Sequence, residues 1–274
     1  MPPLLTVAIP TYRGATTLGA AIASVLGQTL GDLELLVVDD ASPDETSAVV
    51  ARFDDPRLIY QRNLENLGYE SNWNRCLELA RGRYFKLLPH DDILRADCLA
   101  RQVAVLEGDP REELALVFSA REVVGPEGRV CMRRGYPGSK GGRLHAADVA
   151  GWCVRHGTNL IGEPGAVLFR RSLAERVGAF DATNPYVIDL DYWFRLLVHG
   201  DAWYDAEPLA GFRVSRDSWS FAIGNRQSAD FHGMVRRLRS VGVIRPRAID
   251  RLPGAVTPTL NNLARIAFYR ILLR

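Results

Sequence analysis

Leu35-Leu36-Val37-Val38-Asp39-Asp40-Ala41-Ser42 joins four large aliphatic residues to two adjacent carboxylates and a small polar turn. An apolar run of this length with β-branched members fits a strand buried on both faces, as in a parallel sheet covered by helices on either side. On its N-terminal side, Leu18, Ile22, Val25 and Leu26 recur at helical spacing before Gly27 and Gly31. Before them Leu4 to Ile9 forms a short apolar strand that Pro10 is expected to stop. The unit is strand, helix, strand. On the C-terminal side, Ser42-Pro43-Asp44-Glu45 reads as the capping box of a second helix. Leu58-Ile59-Tyr60 is a third strand. Trp73, Cys76, Leu77 and Ala80 form the inner stripe of a helix that Gly82 is expected to end in the left-handed conformation, and Tyr84 to Leu88 is a fourth strand.

Strands alternating with helices predict an α/β domain with a mostly parallel, doubly covered sheet, since parallel strands need a right-handed crossover. Ligands of such sheets sit beyond the carboxyl ends of the strands. Asp39-Asp40 and His90-Asp91-Asp92 each follow a strand, so two acidic pairs reach the same edge. Because neighbouring strand residues alternate in direction, one member of each pair should face the site.

The second half is less regular. Leu114 to Ser119 is a strand, and Val123-Val124 and Val130-Cys131 flank a hairpin turn at Gly125-Pro126-Glu127-Gly128. Gly135 to Gly142 reads as a mobile loop or lid. Val149, Trp152, Cys153 and His156 mark a helix, Ala166 to Phe169 a strand, and Asp189 to His199 a further helix. The expected division is one domain over 1–220 and a C-terminal helical extension over 221–274.

Of the 274 residues, 47% are hydrophobic and 24% charged, which suits a packed core and excludes a disordered or fibrous chain. A net charge of +2 offers no global field for nucleic acid. Basic residues nevertheless crowd the end of the chain: Arg236, Arg237, Arg239, Arg245, Arg247, Arg251, Arg265, Arg270 and Arg274, beside Ile266-Ala267-Phe268-Tyr269. They read first as a solvated helical face, with peripheral contact to an anionic membrane as the alternative. Cys76, Cys98, Cys131 and Cys153 lack metal-site spacing and read as thiols of a reducing compartment. The N-terminus lacks a signal peptide's basic start, and no stretch approaches the ~20 apolar residues of a membrane span. The expectation is a soluble, cytoplasmic protein, with the membrane surface as a second location.

Aspartates at strand ends suit a hard divalent cation, which prefers carboxylate oxygen and keeps water and substrate phosphate as its other ligands. Taken alone, an Asp-Asp pair also fits helix capping and receiver-like phosphate chemistry.

The longer string is more specific. Thr6-Val7-Ala8-Ile9-Pro10-Thr11-Tyr12-Arg13, Ser24-Val25-Leu26-Gly27-Gln28-Thr29, Val37 to Ser42, Asn66-x-Gly68 with Asn74, Ala80-x-Gly82-x-Tyr84 and His90-Asp91-Asp92 resemble family 2 glycosyltransferases in content and order. The resemblance continues more weakly through Phe169-Arg170-Arg171, Val177-Gly178-Ala179-Phe180-Asp181 and Asp189 to Leu196, about four-fifths of the chain.

The resemblance implies the A-type glycosyltransferase fold and an inverting transfer of sugar from a UDP- or dTDP-sugar to a hydroxyl of a glycan, lipid-linked or small-molecule acceptor. Pro10, Thr11 and Tyr12, with Arg13 and Asn66, would line the nucleotide pocket, and Asp40 would accept from a base N–H. Asp91 would meet the ribose or the metal, and Asp92 would hold Mg2+ or Mn2+ at the diphosphate. Asp189 takes the place of the catalytic base, although by itself it reads as a helix cap. Glu163 is a candidate contact to the donor or acceptor sugar. Asp191 reads either as another such contact or as an ion-pair partner of Arg195.

Three positions depart from the family pattern: His90 where another acid is frequent, Ile188 before the base where Glu is common, and Ser215 where many members carry histidine. They leave room for an inactive sugar-nucleotide binder. A sugar-phosphate nucleotidyltransferase would need a glycine-rich basic loop after the first strand, and Pro10-Thr11-Tyr12-Arg13-Gly14 is not one.

Overall fold

The computed structural model describes residues 2–214 and 226–272, with side chains through Phe268. Strands β1 (Leu5–Thr11), β2 (Leu33–Asp39), β3 (Leu58–Arg62) and β4 (Tyr84–Leu87) are connected through helices α1 (Leu18–Leu26), α2 (Thr46–Val50) and α3 (Tyr69–Leu79). All pair in parallel in the order β3-β2-β1-β4. Side-chain alternation puts Val7, Ile9, Leu35 and Val37 on one face with Leu18, Ile22 and Val25 of α1. Ala8, Leu36 and Val38 lie on the other face with Cys76 of α3. This is how the apolar run around Val37 comes to be buried on both sides.

The second half continues the same sheet with α4 (Cys98–Glu107), β6 (Leu114–Val124), α5 (Ala146–His156), β9 (Val167–Arg170), α6 (Arg171–Val177), α7 (Ile188–Leu196) and β10 (Asp201–Arg213). Short strands β5 (Ile93–Leu94), β7 (Val130–Arg134) and β8 (Gly142–Leu144) complete ten, in the order β3-β2-β1-β4-β9-β6-β10-β5 with β7 on β6 and β8 on β10. The sheet is mixed rather than uniformly parallel: β9 runs antiparallel to both β4 and β6, so a strand from late in the chain sits at its centre. Residues after 226 form α8 (Gln227–Ser240), α9 (Ala248–Gly254) and α10 (Thr257–Leu272). The expected 220/221 boundary and Ser215 lie outside the described residues.

Several local expectations change. Pro10 lies inside β1, where it pairs with Val38. Ala8 accepts from Leu88 N–H, so the next bond on that side would come from residue 10, and proline has no N–H to give. The ladder to β4 stops there, and the chain after Leu88 is free to leave the sheet.

Ser42 caps no helix, since α2 begins at Thr46 without a side-chain cap. Its hydroxyl instead accepts the N–H of Arg13 at 2.9 Å, tying together the ends of β1 and β2. Gly82 is not left-handed, and α3 ends because Ala80 is extended. Glycine is required by contact: a Cβ at residue 82 would lie 2.3 Å from Thr6 N and 2.6 Å from the Leu5 carbonyl carbon. The loop after Gly135 is pinned by buried Tyr136, whose ring packs edge-on against Phe118, which argues against a free lid.

Candidate functional site

At the carboxyl end of β2 both aspartates are fully engaged. Asp39 accepts from Ser42 N–H (2.9 Å), the Tyr60 hydroxyl (2.6 Å) and Arg62 (3.2 Å). Asp40 accepts from Asn63 Nδ2 (2.8 Å), Leu67 N–H (2.9 Å) and Gly68 N–H (2.9 Å), while Asn66 donates to its carbonyl. Asp40 thus builds the 63–68 loop beside the edge. Arg13 and Ala41, at the ends of β1 and β2, hold φ of 55° and 57°, a left-handed conformation that costs a side-chain-bearing residue about 1 kcal/mol. Tyr12 is exposed, with the Arg13 guanidinium 5.3 Å from its ring centre, and Thr11 is buried behind it.

The end of β4 is different. Asp92 is buried, and one of its oxygens accepts Arg213 N–H at 2.9 Å. Arg213 also donates to the Asp91 carbonyl, so the end of β10 holds this turn in place. Burial, then the neighbouring charges of Asp91 and Glu163, push the Asp92 carboxyl well above the ordinary range. A carboxyl so placed favours its neutral form unless a cation joins it. Among the described residues no trio of His, Cys, Asp or Glu is gathered for a metal. Asp91 and Asp92 offer at most two carboxylates, which could serve only a cation that takes its other ligands from a diphosphate and water.

Glu163 precedes a 3-10 turn, Pro164–Ala166, that runs directly into β9. Its carboxylate meets Arg121 at 2.5 Å and Arg134 at 3.7 Å. Burial opposes its charge, but the two guanidiniums outweigh it and hold the carboxyl below its usual value. Asn159 folds the preceding turn onto itself: its side chain accepts Gly162 N–H and donates to Gly162 O and to Asp189 Oδ2 (2.9 Å). Trp193 also donates to Gly162 O, fixing α7 against this turn. Burial first, and then the charge of Glu163, push Asp189 up to about 7.

Asp189 is not the cap of α7. The helix begins one residue earlier with no side-chain cap, and the backbone N–H that Asp189 accepts is that of Leu190 next to it. Asp191 leaves the candidate sugar contacts: its oxygens are taken by Arg195 (3.0 Å) and Arg237, so it joins α7 to α8. Burial raises its carboxyl in spite of both guanidiniums.

The charge of Glu163 acts on both Asp92 and Asp189, so these acids and Asp91 lie near one another beyond the carboxyl end of β4. A model of glycosyl transferase family 2 matches residues 6–178, well over half the chain. The chain belongs to glycosyltransferase family 2.

Curated relatives of this family member include the uncharacterized Mycobacterium tuberculosis protein MT1568, 34% identical over 72% of this chain and 62% of its own length. An uncharacterized glycosyltransferase of Rickettsia prowazekii is 28% identical over 77% of this chain and 64% of its own length. The chain therefore spans under two-thirds of these relatives. Escherichia coli WfgD, a UDP-Glc:α-D-GlcNAc-diphosphoundecaprenol β-1,3-glucosyltransferase, is 37% identical over 38% of this chain and 41% of its own length.

Among solved structures, Staphylococcus aureus TarS residues 1–349 align with a TM-score of 0.69 at 14% identity, covering 98% of this chain and 75% of that one. The Pyrobaculum calidifontis mannosyltransferase PcManGT, solved with GDP-Man and Mn2+, aligns with a TM-score of 0.69 at 18% identity over 99% of this chain and 76% of that one. The fold is the A-type glycosyltransferase fold.

Sequence reasoning missed Arg121, Asn159, Lys86 and Arg213. Lys86 is buried in β4, and its ammonium donates to the Gly165 carbonyl (2.7 Å) and the Val167 carbonyl (3.0 Å). Burial lowers it to about 8. It anchors the turn that carries Glu163. A cation inside an apolar run was the available signal for both Lys86 and Arg121, because such a group must find acceptors. Asn159-x-x-Gly162 was the signal for the turn.

Proposed function

We propose that this glycosyltransferase moves a sugar from a UDP- or dTDP-sugar to the hydroxyl of a lipid-linked glycan, with inversion, and that Asp189 is the base. The observation that carries this is Asp189 itself: a half-buried carboxylate, oriented by Asn159 and pushed up to about 7, near the acids that follow β4. A base whose pKa lies near the operating pH is ionised in about half of the molecules at pH 7 and is strong enough to take a hydroxyl proton there.

The nucleotide would lie over β1 to β4, with Pro10, Thr11, Tyr12 and Arg13 against the base and Asn66 and the Asp40 loop beside it. Asp92 and Asp91 would hold Mg2+ or Mn2+, which supplies charge neutralisation to the departing diphosphate. The acceptor oxygen attacks the anomeric carbon as Asp189 removes its proton. The bond to the diphosphate breaks with its electron pair leaving on the phosphate oxygen. Glu163, pinned by Arg121, is placed to orient a sugar hydroxyl. UDP-containing TarS structures and the donor and lipid carrier named for WfgD support the nucleotide and acceptor classes.

The test is nucleotide release from a panel of UDP- and dTDP-sugars with a diphosphate-lipid acceptor, for the native chain and Asp189→Asn. The variant should keep its fold and its thermal shift with UDP and Mn2+ while turnover falls roughly 10²–10⁴-fold. Near-normal turnover would remove Asp189 from the chemistry. No release by the native chain with any donor would leave a nucleotide-sugar binder.

A further inference from the structure

α10 packs onto the protein by its polar side. Thr257 donates to the Arg155 carbonyl at 2.9 Å, Asn261 donates to the His156 carbonyl, and Arg265 meets Gln227 at 2.6 Å. Phe268 packs inward against Val123 and Val214, but the apolar side chains nearer the start of the helix face outward. Leu252 is 81% exposed, Val256 56%, Leu260 58% and Leu263 60%, at spacings of four, four and three residues along α9 and α10, with Ile249 beside them at 62%. A helix that settles on a soluble core does the reverse, so this outward stripe calls for a second surface.

The charge around it says which. Residues 226–268 contain eight arginines, at 226, 236, 237, 239, 245, 247, 251 and 265, and two acids, Asp230 and Asp250. Both acids are buried and paired, with Arg226 and Arg155. Arg236, Arg239, Arg245 and Arg251 are exposed and have no carboxylate partner among the described residues. A two-fold contact between copies would set these arginines against themselves. An anionic bilayer satisfies both features, taking apolar side chains into its interface and guanidiniums at its headgroups.

We propose that α9 and α10 form a docking surface for anionic phospholipid, lying in the plane of the membrane. Among the described residues no helix is long and apolar enough to cross one. α10 rests on the end of α5, and from Gly157 the chain runs straight on to Asn159 and Glu163. Docking therefore brings the acceptor side of the site to the bilayer, which is where a lipid-linked hydroxyl is presented; only this last consequence rests on the transferase reading.

The experiment is flotation of the full chain with phosphatidylcholine vesicles and with phosphatidylcholine–phosphatidylglycerol vesicles at low and high salt. Binding is expected to the anionic vesicles, weakened by salt. It should fall roughly tenfold or more in Leu252→Gln/Leu260→Gln/Leu263→Gln and in Arg236→Gln/Arg239→Gln/Arg245→Gln. No flotation with anionic vesicles, or equal flotation of the native chain and both variants, overturns the proposal. So does a concentration-dependent dimer in light scattering that the leucine variant abolishes, which would assign the stripe to a second copy. A UDP thermal shift with Mn2+, measured on the same samples, reports on the transferase reading separately, because none of the substituted residues lies at the sheet edge.

Discussion

An Asp-Asp pair lies at or shortly after the end of each strand that flanks β1, and the protein uses the two pairs in opposite ways. After β2, Asp39 and Asp40 receive donors from Ser42, Tyr60, Arg62, Asn63, Leu67 and Gly68. After β4, the buried Asp92 receives a single backbone N–H, from Arg213, and has Asp91 and Glu163 for neighbours. A carboxylate saturated with donors is part of the scaffold. One buried with few donors beside other acids is driven toward its neutral form unless a cation joins it. The same contrast separates the two acids of α7, since Asp191 has two arginines and Asp189 has one amide and one backbone N–H.

The contrast is broken most directly at Asp92. Asp92→Asn should lower sugar transfer by roughly 10²–10³-fold, as removal of transition-state charge stabilisation does. The Mn2+-dependent part of UDP thermal stabilisation should vanish with it. An unchanged metal response would place the cation elsewhere.

Next in size is the pH response of the donor-poor acid of α7. With Asp189 near 7, kcat/KM should fall about tenfold per pH unit below that value, and a profile flat down to pH 5 would exclude it as the base. Stability runs the other way. A carboxyl raised above its unfolded value binds its proton more tightly in the folded state, so its contribution is present at low pH and is lost as pH rises from about 4 through 7. Asp189→Asn should therefore melt higher than the native chain above pH 7, by an increment that disappears toward pH 4.

Asp40→Asn probes the saturated pair. An amide cannot accept from Asn63, Leu67 and Gly68 together, so the chain should lose about 1–3 kcal/mol of stability and exchange faster at the Leu67 and Gly68 amides. Any weakening of UDP binding should leave its Mn2+ dependence intact. Loss of that dependence would erase the distinction between the two strand ends.

The smallest effect on turnover belongs to Asp191→Asn, expected within about twofold of the native rate at saturating substrate. Its cost falls on stability, roughly 3 kcal/mol, because Arg195 and Arg237 lose their shared anion. A large fall in kcat with unchanged melting would return Asp191 to the sugar site.

The parallel half of the fold was legible because it is written locally. Apolar runs at Val7, Val37 and Phe85, with helical stripes between them, specify strand–helix–strand units without reference to anything distant. β9 was legible as a strand but not as antiparallel, because direction depends on a partner some eighty residues away. Pro10 and Ser42 were misread for a related reason: each obeys a local rule, strand stop or helix cap, that the neighbouring strand end overrides. The acids at the site were identified through motif order. The groups that hold them, Arg121, Asn159, Lys86 and Arg213, act across gaps of 30 to 121 residues and leave only the trace of a charge in an apolar run or an Asn-x-x-Gly turn.

The central position of β9 bears on how the chain folds. Until Val167–Arg170 has been synthesised, β4 presents an open edge with Tyr84 and Phe85 unpaired on one side, although β1 to β4 already form a nearly complete parallel unit. Parallel sheets with distant closing contacts assemble slowly, and an uncapped apolar edge is a template for association with other chains. A fragment ending near residue 110 should therefore aggregate, and a longer one that includes Arg170, whose guanidinium reaches back to the carbonyls of Leu106 and Leu114, should move the open edge from β4 to β6, which waits for β10.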